Sequence, residues 1–137
     1  MADVVQYRLE KTLIELEDLE RKGIFSRAEL AEIVKKRRKF EYSLKRPSPL
    51  KQDYLTFIDY EKHLHQLRCL RARSIARELK ESGTKKRLKK SVSDDAGILR
   101  ILGIFRLAVM RFKGDIDLWF RYLEFCREHG HGRMKKV

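Results

Sequence analysis

Residues 104–125 read IFRLAVMRFKGDIDLWFRYLEF. The stretch is helix, tight turn, helix. Ile104, Phe105, Leu107, Ala108 and Met110 place an apolar face at helical spacing. Lys113-Gly114-Asp115 interrupts it. Gly114 supplies permissive backbone for a turn, and Asp115 is positioned to cap the next helix. In that helix Trp119, Tyr122 and Phe125 recur every third residue beside Leu118, forming one aromatic stripe. Two helices joined in this way bury little apolar surface by themselves. They need a neighbouring pair to stack on, which is the logic of an α-solenoid. The expected fold is all-α: antiparallel helix pairs at the start of such a solenoid.

Moving upstream, Tyr54, Phe57 and Tyr60 repeat the same aromatic spacing. They fall in a helix expected from Pro49 to about Lys80, with Ile58, Glu61, Leu64 and Leu67 in phase. Ser48 is the expected cap and Pro49 the first helical residue. Both aromatic triplets are assigned to packing between helices, because an apolar stripe at this spacing faces a neighbour. Asp94 or Asp95 is expected to cap the helix that runs to about Phe112. Gly97 and Gly103 weaken that helix locally, and Gly103 is the candidate for close helix approach.

Two further helices precede these. Residues 3–20 form an amphipathic helix, with Val5, Leu9, Leu13, Leu16 and Leu19 on one side. Glu10, Glu15, Glu17, Asp18 and Glu20 make the other side acidic, either solvated or set against a basic neighbour. Gly23 ends it. Ser26-Arg27-Ala28-Glu29 has the form of a capping box, with Phe25 as hydrophobic staple, and opens a helix to about Leu44.

The 137 residues carry a formal net charge of +13, which favours polyanionic partners. Two runs concentrate the cations: Lys35-Lys36-Arg37-Arg38-Lys39 inside the second helix, and Lys85, Lys86, Arg87, Lys89 and Lys90 in an expected loop. Both are candidates for contact with nucleic-acid phosphates or for nuclear import; such contacts carry affinity without sequence specificity. No apolar run approaches the roughly 20 residues of a membrane span. Cys69 and Cys126 are read as reduced thiols. Cys126, His129 and His131 fall short of a closed four-ligand zinc site, so no metal or other cofactor is expected. Neither Gly-rich phosphate loop nor nucleophile motif is present, so no catalytic residue is assigned and no enzyme is expected.

The pair at 104–125 resembles a HAT repeat, the half-a-tetratricopeptide unit of RNA-processing proteins. The resemblance rests on Ile104-Phe105-Arg106-Leu107-Ala108, Leu118-Trp119, Tyr122 and Glu124-Phe125. Cys126 stands where members usually carry Glu. The upstream region is similar to the U-three small nucleolar RNA-associated HAT-repeat family, subunits of the small-subunit processome. The similar residues are Leu16 to Glu20, Gly23 to Glu29, Phe40-Glu41-Tyr42 to Arg46, and Asp53-Tyr54 to Asp59-Tyr60-Glu61.

That resemblance implies a nucleolar scaffold acting in maturation of small-subunit ribosomal RNA. Its implied partners are other processome subunits, WD-repeat (β-propeller) proteins among them, with small nucleolar RNA and pre-ribosomal RNA, and no membrane. It also implies three parts: 1–82 an N-terminal helical domain, 83–95 a basic linker, and 96–137 a first HAT-type repeat cut short. The chain is thus expected to be a fragment, or a truncated gene model, of a longer repeat protein. The alternative reading is an independent helical module that binds RNA without sequence preference.

Overall fold

A computed structural model describes residues 7, 9–10, 12–83 and 92–129, with side chains from residue 95 onward in the last segment. Among these, five helices and no strand occur: α1 (Leu13–Arg21), α2 (Arg27–Leu44), α3 (Lys51–Glu81), α4 (Val92–Arg111) and α5 (Ile116–His129). The fold is all-α. Contacts join α1 to α2, α2 to α3, α3 to α4, α4 to α5, and α1 to α4.

The helix starts follow local chemistry. At α2 the Glu29 N–H donates to Ser26 Oγ (3.2 Å) and the Ser26 N–H donates to Glu29 Oε1 (3.0 Å), completing the expected capping box. Phe25 and Leu30 are both buried in one cluster, as a staple requires. At α5 the Leu118 N–H donates to Asp115 Oδ1 at 3.1 Å, so Asp115 is the cap. Gly23 has φ of +73°, a left-handed conformation that closes α1 without a side-chain clash.

Several expectations change. The first helix does not run unbroken from 3 to 20: α1 begins at Leu13 behind Thr12, whose hydroxyl donates to Leu9 O at 2.7 Å. The break shifts the phase, leaving Leu13 exposed while Leu9, Leu16 and Leu19 stay buried. Val5 lies outside the described residues. The cap of α3 is Leu50, not Ser48; its N–H donates to Asp53 Oδ2 at 2.8 Å. Helix α4 starts at Val92, so Asp94 and Asp95 lie within its first turn instead of before it. Gly114 does not have positive φ, so its turn is one that other residues can adopt. The close approach occurs at Gly97, where an added Cβ would sit 2.8 Å from His65 Nδ1; Gly103 faces open space.

Ring and ion contacts give the pairing directions. Phe40 stacks on Phe57, Arg37 meets Glu61, and Arg71 meets Glu29. As the number rises on α2 it falls on α3, so the two are antiparallel. The same holds for α3 and α4 through Tyr54 with Phe112, Glu61 with Arg100, and His65 with Gly97. One core cluster joins Tyr54, Phe57 and Ile58 of α3 to Ile101, Ile104, Phe105, Ala108 and Val109 of α4 and to Leu118 and Phe125 of α5. A second holds Leu16, Leu19, Ile24, Phe25, Leu30 and Ile33, with Leu64 and Ile75 of α3 against it.

Candidate functional site

Between the two apolar clusters α3 carries a carboxylate. Glu61 is buried, one turn from Ile58 on one side and from Leu64 on the other. Arg37 of α2 donates to it twice, Nε to Oε1 at 2.8 Å and Nη2 to Oε2 at 3.2 Å. Glu15 of α1 lies 3.7 Å from the same guanidinium. Arg100 of α4 donates to both Glu15 oxygens, its Nη1 at 3.2 Å from Oε1, and its Nη1 stands 3.7 Å from Glu61 Oε2. Four helices thus contribute one charge each to a quartet of two carboxylates and two guanidinium groups.

Isolated charges in this position would cost several kcal/mol each. Their signs cancel, and the bidentate pairing satisfies most of the polar atoms. Burial alone would raise the Glu15 carboxyl; the Arg100 hydrogen bonds and charge, with those of Arg37, outweigh it and hold Glu15 below its ordinary value of 4.5. Burial and the neighbouring Arg68 and His129 push His65 below 6.5. The quartet is a structural clasp: its members hold one another.

The clasp settles the place of several residues singled out above. The acidic side of the first helix does meet a basic neighbour, through Glu15. Arg37 is 3% exposed and pairs through Nε and Nη2, while its buried Nη1 finds no hydrogen-bond partner among the described residues, so it leaves the solvent-facing cations of its run. Burial of Arg37 was hidden in the sequence by the four cations around it. Lys35, Lys36, Arg38 and Lys39 remain exposed on α2. Lys85, Lys86, Arg87, Lys89 and Lys90 lie outside the described residues. Arg71 also turns inward, donating to Ile24 O (3.0 Å) and Glu29 Oε1 (2.9 Å) and lying over the Phe25 ring. It staples the α1–α2 turn to α3.

Among the packing residues, Tyr54, Phe57, Phe105, Ala108, Leu118 and Phe125 are buried. Tyr122 is half-buried and stacks on Phe105 at 5.7 Å; Tyr60 is half-buried against Phe40 at 5.3 Å. Trp119 sits at the rim, 37% exposed, its indole N–H donating to Lys113 O at 3.0 Å. The stripe therefore turns from core at Phe125 to edge at Trp119. Beyond it, α5 carries a second apolar row of Ile116, Phe120 and Leu123, all exposed. Cys69 and Cys126 are both free thiols.

Antiparallel helix pairs, a charge-cancelled interior and cations turned outward define an all-helical, cation-rich module. The chain belongs to the U3 small nucleolar RNA-associated protein 6 family, whose model matches residues 9–97. It is 35% identical over 130 residues to the U3 small nucleolar RNA-associated protein 6 homolog of Mus musculus, covering 95% of this chain and 20% of that protein. It is 38% identical over 128 residues to U3 small nucleolar RNA-associated protein 6 of Schizosaccharomyces pombe, covering 93% of this chain and 24% of that protein. The chain thus spans a fifth to a quarter of the length of these relatives.

Proposed function

We propose that this chain is part of a non-catalytic scaffold subunit of the nucleolar small-subunit processome. It would bind partner proteins and small nucleolar or pre-ribosomal RNA during maturation of small-subunit ribosomal RNA. Family membership carries the reading: the matched segment 9–97 encloses Glu15, Arg37 and Glu61, three of the four clasp residues. Its relatives are named for association with the U3 small nucleolar RNA. That naming supports a place in the nucleus and nucleolus, and β-propeller subunits are the partner class we assign to its helix faces.

Helices α4 and α5 supply the HAT-type repeat in this reading, preceded by the helical part in 1–82 and the basic connection. The uncovered row of Ile116, Phe120 and Leu123 supports an α-solenoid, because such a row fits a following helix. The test is affinity purification of the tagged chain from nucleoli. Recovery of pre-ribosomal proteins and U3 RNA is expected, and protein recovery should survive ribonuclease if the contacts are protein-borne. Purification free of pre-ribosomal components overturns the reading.

A further inference from the structure

On α2 the core-facing residues are Leu30, Ile33 and Arg37, with Phe40 and Leu44 half-buried on the same side. At about 100° per residue, the opposite side carries Lys35, Arg38, Lys39 and Tyr42. All four are exposed, and Tyr42 is 47% exposed as a residue although it is large and mostly apolar. Arg38 and Lys39 stand one turn before Tyr42, while Lys45 and Arg46 follow it just past the helix end. The phenol is therefore framed by cations on both sides. Among the described residues no carboxylate pairs with Lys35, Arg38 or Lys39; Arg46 reaches Asp53 at 3.7 Å, and the exposed Glu32 stands one turn before Lys35, at the N-terminal end of the stripe. The clasp removes Arg37 from this surface, which divides one run of five cations into an interior member and an exterior stripe.

We propose that this outer stripe of α2 is a docking platform for single-stranded RNA, with Tyr42 stacking on an unpaired base and Lys35, Arg38 and Lys39 neutralising adjacent phosphates. The distance from Lys35 to Tyr42 along the helix is about 10 Å, enough for one to two nucleotides of backbone. A cationic track beside an exposed aromatic is the recurrent chemistry of single-strand binding, in which every base offers a π face. A buried major groove of duplex RNA would leave the ring without a partner. The proposal deepens the processome reading by naming the surface that touches RNA.

The test is fluorescence anisotropy of the full 137-residue chain with a labelled oligouridine, over a series of salt concentrations. Tyr42→Ala should weaken binding about 5- to 100-fold, with Tyr42→Phe close to the parent. The triple replacement Lys35→Ala, Arg38→Ala and Lys39→Ala should lower the slope of log affinity against log salt by about 2. Far-UV circular dichroism should be unchanged, since none of the four side chains is in the core. Unaltered affinity and slope in the triple variant overturn the platform, as does equal competition by polyglutamate, which would mark an acidic-protein surface. Loss of binding only when Lys85, Lys86, Arg87, Lys89 and Lys90 are neutralised also overturns it. That last outcome leaves the processome reading standing, since co-purification judges that reading separately.

Discussion

Arg37 and Glu61 meet edge to edge inside the protein, at 2.8 and 3.2 Å, from helices whose contacting residues are 24 positions apart. The contact is buried on both sides. Removing one partner leaves the other charged and dry.

Arg37→Met should therefore lower the unfolding free energy by about 3 to 5 kcal/mol. Urea denaturation followed by circular dichroism checks this. The double replacement Arg37→Met with Glu61→Leu should cost less than either single change, because Glu15 and Arg100 still pair. A double variant less stable than both singles would contradict the clasp.

Acid should lower the stability of the fold in two stages. His65 has its folded value below 6.5, so it favours the neutral form; its contribution is present above about pH 6.5 and fades as pH falls below it. Glu15 is held below 4.5 by Arg100 and Arg37 against the effect of burial. Its contribution is complete above about pH 4.5 and is lost as pH falls through the depressed folded value. Urea midpoints at a series of pH values read both stages. Glu15→Gln should flatten the lower one, and His65→Asn the upper one.

Two glycines in α4 should respond with opposite sign. Gly97→Ala places a methyl 2.8 Å from His65 Nδ1 and should destabilise by about 1 kcal/mol or more, despite the better helix former. Gly103→Ala meets open space and should stabilise by roughly 0.5 to 1 kcal/mol. Thermal unfolding of the two variants side by side checks the pair.

Asp115 caps α5 and accepts from Lys51 of α3 at 2.6 Å. Asp115→Ala should cost about 1 kcal/mol, mostly through the lost cap. Asp115→Ser should recover most of it, because a hydroxyl can accept from the same N–H.

What could be read from the chain alone was what short-range chemistry fixes. The Ser26–Glu29 box, the Asp115 cap and the packing of Phe57, Phe105 and Phe125 all follow from residues within a turn or two of each other. Glu61 was legible only as a member of a helical row, because an acid on a core face announces no partner. Its partners lie 24 and 39 positions away along the chain, at Arg37 and Arg100. Glu15 and Arg100 are 85 apart. Choosing Gly97 over Gly103 likewise needs the neighbour, His65, which only the assembled helices bring near. Trp119 looked equivalent to Phe125 by spacing, yet successive residues on a stripe curve away from the contact, and the earlier one emerges at the rim.

The clasp has one more effect, on alignment. Sliding any of its four helices by a single residue turns that helix's charge about 100° away and strands its counterparts in hydrocarbon. Greasy side chains alone would tolerate such slippage at modest cost. These helices are instead indexed against one another like teeth on meshed gears, so the cationic edge of α2 keeps a constant bearing to α1, α3 and α4.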